Sequence, residues 1–159
     1  MQEGPIWFLP DVNNVNSDTN NYRCNVPIGK SMVLSLSTSE CNFGREQQIK
    51  TDDDLKECAF NILTPLDRME VMIDGIKVDT SKLGTPIRTE FFNITYPQDP
   101  AHFWGPTIPG THKAITEGYF LLLPPMSPGK HIIELKVSDS LKGLGDQGTR
   151  NGNFEIYVQ

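Results

Sequence analysis

The chain lacks a run of about eighteen apolar residues, so no segment is long enough to cross a membrane as a helix. It has no Lys/Arg cluster: 14 basic residues against 20 acidic ones give a net charge of −6. Phosphate binding needs a basic stripe, so a nucleic-acid partner is excluded. There is no C-x-x-C pair, which argues against a zinc ribbon or a thioredoxin-like site, and no G-x-S-x-G elbow for an esterase-type nucleophile. The start, MQEGPIWFLP, has neither the basic nor the long apolar part of a signal peptide. Met1 is then either a natural start or one that replaces a removed signal, and both readings stay open.

What is present is period-two alternation. In SMVLSLST, Met32, Leu34 and Leu36 share one face, with Ser31, Ser35 and Ser37 on the other; HIIELKV sets Ile133, Leu135 and Val137 against Glu134 and Lys136; NFEIYV repeats the pattern with Phe154, Ile156 and Val158. One-sided strands belong to antiparallel rather than doubly wound parallel sheets. Further strands are predicted in GPIWFL, YRCNV and IRTEFFNITY, and Asp74-Gly75 in RMEVMIDGIKVD supplies the positive φ of a tight hairpin turn. GYFLLLPPMSPGKHIIELKV, 118–137, reads as two core strands around a Pro-rich turn, a scaffold hairpin rather than a reactive site.

One helix is predicted over 52–63, capped by Thr51-Asp52 and stopped by Pro65. Within it Leu55, Cys58, Ala59 and Ile62 fall on one face, which turns Cys58 inward. Three cysteines give one bridge and one leftover thiol, and the preferred pair is Cys41–Cys58; three buried free thiols are the alternative. At 159 residues the expectation is one domain over 1–159, an all-β antiparallel sandwich of jelly-roll or Greek-key type with eight or nine strands and one short helix.

Several blocks in order, IWFLP, CNVPIGKSMVLSLSTSEC, DLKECA, VMIDG and GYFLLLPPMSPGKHIIEL, resemble a widespread, uncharacterised family of secreted bacterial and archaeal proteins. The likeness spans residues 6–137; Ile73 and Met126 stand where the family pattern has valine and leucine. It implies export to the extracellular space or cell surface and a β-rich fold. It implies no reaction and no catalytic residue.

Candidate sites concentrate in loops at 10–21, 42–51, 97–116 and 139–151, because a sandwich presents its loops at its ends. Loop 97–116 carries His102, Phe103, Trp104 and His112; its flat aromatic faces beside polar groups suit a sugar, while the plain structural alternative makes Trp104 a core plug. His102, His112 and His131 would form a three-imidazole metal site, although the H-x-H pair of cupin-like sites is missing. Calcium is the better-suited ion, with Asp146, Asn151 and Asn153 in DQGTRNGN as donors, against ordinary Asn/Asp/Gly turn chemistry. A carboxylate pair for glycoside hydrolysis would draw on Asp52, Asp53, Asp54, Glu90, Asp99 or Glu117; the Asp52–Asp54 run is equally a helix start. Asn93-Ile94-Thr95 is a glycosylation sequon on a predicted strand, expected partly buried.

The leading functional expectation is a non-catalytic secreted or surface binding module with an extracellular glycan or surface protein as partner, needing no cofactor. The first alternative is a structural subunit that self-associates or joins a surface assembly, which an exposed apolar strand at 4–9 would favour. The second is a metal-dependent enzyme using the loop histidines.

Overall fold

The structure is a computed structural model and describes residues 2–12, 20–63, 66–83, 85–98, 107–140 and 147–159. Ten strands occur among them: β1 Ile6–Phe8, β2 Asn20–Val26, β3 Ser31–Asn42, β4 Leu66–Ile73, β5 Ile76–Lys77, β6 Ile87–Arg88, β7 Phe92–Tyr96, β8 Gly110–Leu123, β9 Gly129–Ser140 and β10 Gln147–Val158. One α-helix, α1, spans Asp52–Leu63, and a single 3₁₀ turn spans Thr80–Lys82. The chain forms two compact units. The first comprises Met1–Ser37, Pro65–Pro86 and Tyr119–Gln159, and the second Thr38–Thr64 and Ile87–Gly118.

The first unit is built from two sheets. One runs β2-β10-β9-β4-β5; the other contains β1, the first part of β3 and the last part of β8, with β3 bonded to both β1 and β8. Met32, Leu34, Leu36 and Leu123 of the second sheet meet Val26, Val71, Ile133, Leu135, Val137, Phe154, Ile156 and Val158 of the first in one buried cluster. Alternation dictates this, since every second side chain of a strand points to the same face. Each such side chain contributes about 1.5–3 kcal/mol on burial. Asp74 takes φ 50° and Gly75 φ 77°, the left-handed pair that the predicted β4–β5 turn requires.

The mixed strand directions correct the expectation of an antiparallel sandwich. β1 lies parallel to β3, and β2 parallel to β10, with Tyr22 opposite Phe154 and Cys24 opposite Ile156. Alternation encodes which face is buried but carries no information about a neighbour's direction. Residues 118–137 are also not a hairpin: β8 and β9 belong to different sheets. Pro124 and Pro125 have no N–H to extend a ladder, so the chain leaves one sheet there and enters the other. The scaffold reading stands, because Leu123, Ile133, Leu135 and Val137 fill the core and Met126 packs against it.

The second unit holds the rest of β3 and β8, the short strands β6 and β7 paired with β8, and α1. IRTEFFNITY is thus two strands rather than one. In β3 the buried positions shift phase between Leu36 and Ser37, so that Ser39 and Cys41 turn inward and Ser37 is buried rather than solvated. Cys41 and Cys58 form a disulfide with Cα atoms 6.2 Å apart, packed with Leu55, Ala59 and Ile115. Leu63 rather than Ile62 completes the helix's buried face. At the start of α1, Thr51 Oγ1 accepts from the Asp54 N–H at 3.1 Å while Asp54 Oδ2 accepts from the Thr51 N–H at 3.2 Å, a reciprocal capping box.

The bridge ties the helix to β3 covalently, beside a buried hydrogen bond from Ser39 Oγ to the Ala59 carbonyl oxygen at 2.6 Å. The loop between its cysteines, 17 residues in separation, is of a size that a disulfide stabilises by about 3 kcal/mol. Cys41→Ala/Cys58→Ala should therefore melt several degrees below the oxidised parent in scanning calorimetry, and the parent with reductant should approach the variant. Equal melting temperatures would contradict this account of the second unit.

Candidate functional site

The two described histidines are committed to protein acceptors. His131, at the start of β9, places Nδ1 2.7 Å from Asp74 Oδ2 and Nε2 2.9 Å from the Ser127 carbonyl oxygen. Asp74 in turn accepts the Ile132 N–H at Oδ1, 2.8 Å. The ring therefore ties the β4–β5 turn to the segment that leads into β9. A ring with acceptors at both nitrogens is fully satisfied only as the imidazolium. Its pKa is accordingly raised, first by the Asp74 carboxylate and then by the Ser127 carbonyl, and that of Asp74 is lowered, first by His131 and then by the Ile132 N–H.

His112 lies on β8 and not in a loop, because β8 begins at Gly110 and shortens the predicted 97–116 loop from its far end. Its Nε2 is 2.8 Å from the Ile108 carbonyl oxygen, and its ring lies tilted beside Tyr96 with centroids 6.1 Å apart. A Cβ at position 44 would come within 2.5 Å of the ring, so only Gly44 leaves it room. His102, Phe103, Trp104, Asp99 and Asp146 lie outside the described residues. Among the described residues no three His, Cys, Asp or Glu side chains are grouped to hold a metal ion.

Several carboxylates of the second unit, Asp52, Asp53 and Glu117 among them, have structural partners. Asp52 takes both its oxygens to Lys113 Nζ at 2.9 Å, and Asp53 pairs with Lys56 at 2.8 Å. Glu117, almost fully buried, accepts from Arg88 Nε and Nη2 at 2.9 and 2.7 Å through one oxygen. Asn42, also buried, is the polar hub: its Oδ1 accepts from the Gly44 and Arg45 N–H groups, and its Nδ2 donates to Glu40 and Tyr96. The sequence carried a signal for this hub, since Asn followed by Phe-Gly-Arg is an Asx-turn pattern. Asn93 is exposed, in contrast to the expected partial burial, because β7 pairs with β8 along one edge and turns this side chain to solvent.

Two surfaces of the first unit remain. On the sheet of β1, β3 and β8, Trp7, Tyr119, Leu121 and Leu123 face the core, so Ile6, Phe8, Val33, Phe120 and Leu122 occupy the outer face. Phe8 is 60% and Leu122 62% exposed. On the outer face of the other sheet, a depression of about 300 Å³ is lined by Glu70, Met72, Glu134, Lys136, Asn151 and Asn153 among others. Asn151 and Asn153, candidate calcium ligands in a loop, thus stand on β10 two residues apart. They face the same way and lie across from Lys136 and Glu134. Asn153 Oδ1 is shielded from solvent and has no partner, a state that costs about 1–3 kcal/mol.

The His131–Asp74 pair makes stability pH-dependent with a defined sign. A raised histidine pKa adds stability that is complete below about pH 6.5 and is lost as pH rises through the folded value; a lowered aspartate pKa adds stability above about pH 4 that is lost as pH falls. The clamp is therefore strongest between about pH 4 and 6.5. The wild-type melting temperature should fall from pH 6 to pH 8.5 by more than that of His131→Gln. Parallel curves would refute the assignment.

No protein-family model matches the chain, and no curated protein matches it. A solved structure of PbICP-C in complex with falcipain-2 aligns over 98% of this chain and 100% of that chain, at 13% identity and a TM-score of 0.35. At that score the likeness carries no argument about fold or function.

Proposed function

We propose that this protein is a non-catalytic structural subunit that associates with copies of itself through the outer face of β1, β3 and β8, as part of an extracellular or cell-surface assembly. The observation that carries this reading is the apolar outer face on three adjacent strands, where Ile6, Phe8 and Leu122 are exposed and Val33 and Phe120 half-buried. Contiguous apolar surface on a soluble domain marks a contact site. Within residues 6–8, 31–36 and 119–123 the outward positions, which include Ser31 and Ser35, carry no charge. Two copies with a net charge of −6 each can meet there without setting acidic side chains against one another, and sheet faces of this kind pack at about 10 Å. The Cys41–Cys58 bridge suits an oxidising compartment, which supports the extracellular setting. The likeness to an exported family belongs to the same proposal.

Sedimentation velocity of the oxidised protein from micromolar to millimolar concentration tests it. The expected result is reversible self-association that Leu122→Lys abolishes with an unchanged melting temperature, since this side chain is not in the core. A monomer at every concentration, or association indifferent to Leu122→Lys and Phe8→Lys, would overturn the reading.

A further inference from the structure

We infer that the depression on the outer face of β4, β9 and β10 binds a neutral, hydroxyl-rich ligand of the saccharide class. Two cross-strand rungs build it. Glu70, Lys136 and Asn151 stand opposite one another in the first, and Met72, Glu134 and Asn153 in the second. The volume of about 300 Å³ lies at the lower end of the range of small-ligand sites, about 300–1,000 Å³.

The polar groups around this depression differ from those elsewhere on the same sheet. Toward the end of β10, Lys130 pairs with Glu155 at 2.6 Å, Tyr157 donates to Glu155, and Arg23 lies over the Tyr157 ring. Glu70 is held at the rim by Arg68 at 2.6 Å and Lys77 at 3.5 Å. By contrast Glu134, Lys136 and the Asn151 side chain have no hydrogen-bond or ion-pair partner among the described residues, and Asn153 spends its Nδ2 on a long 3.3 Å bond to Asn21 while its Oδ1 has none. The lining therefore offers an acceptor at Glu134, donors at Lys136, and both at Asn151, over the apolar side chain of Met72, with the shielded Asn153 oxygen beside them.

That combination selects the ligand. A sugar hydroxyl both donates and accepts, and a sugar ring presents C–H faces that suit a thioether. Because carboxylate and ammonium groups alternate within two rungs, no single ionic charge on a ligand is favoured. Turning the Asn153 amide into the depression gives its orphaned oxygen a hydroxyl donor. This site is separate from the apolar face and does not rest on the self-association reading.

The test is a titration of ¹⁵N-labelled protein with cellotetraose, laminaritetraose, chitotetraose and mannotetraose, followed by backbone amide shifts. At least one should shift amides of residues 70–72, 134–136 and 151–153 in a saturable way. Glu134→Ala and Asn151→Ala, both outward-facing, should weaken that binding at least tenfold with unchanged melting temperatures. Asn153→Leu should also abolish it while raising the melting temperature, the signature of a side chain kept for a ligand rather than for the fold. Leu122→Lys should bind as the parent does. No saturable shift with any of the four sugars, or binding unchanged in Glu134→Ala and Asn151→Ala, would overturn the inference.

Discussion

The fold depends on one constraint: two sheets can bury their inner faces only against each other. Met32, Leu34 and Leu36 are buried in one cluster with Ile133, Leu135, Val137, Phe154, Ile156 and Val158 of the facing sheet. Everything else in the first unit is arranged around keeping those faces together. Pro124 and Pro125 carry the chain between sheets, Asp74-Gly75 folds back β5, and the C-terminal strand locks β2 into a parallel pair. Polar anchors such as His131–Asp74 fix the ends of strands whose middles are held by burial.

Period-two alternation made the inner face of nearly every strand legible, and it named the buried residues of β9 and β10 correctly. The helix was equally legible, because Thr51 and the acidic first turn mark its start and its cysteine marks its inner face. Strand partnership was not. The segment 118–137 has the pattern of a hairpin, yet an inter-sheet connection requires the same two apolar runs and the same proline turn. What separates them is the pairing of β9 with β4 and β10, a long-range fact that no local window contains. The phase change at Leu36–Ser37 escaped for a related reason: a buried serine is marked only by the packing that covers it.

The functional surfaces were less legible than the fold. Histidines attract attention in a sequence as metal ligands, but Nε2 of His112 and both ring nitrogens of His131 are taken by nearby carbonyl and carboxylate oxygens. Asn151 and Asn153 read as turn residues and instead line a sheet-face depression. The outer apolar face was partly foreseeable from IWFL at the start, while the contribution of Phe120 and Leu122 becomes visible only when β8 is seen two strands from β1. Surfaces are assembled across strands, and their chemistry follows from register.

The central claim is that the outer face of β1, β3 and β8 is covered in the working protein. Amide hydrogen exchange, measured on the same oxidised sample at low and at high protein concentration, tests it most directly. The account predicts added protection confined to residues 6–8, 31–35 and 119–123 as concentration rises, with the β2-β10-β9-β4-β5 sheet unchanged. Exchange that is independent of concentration in those three segments would contradict it.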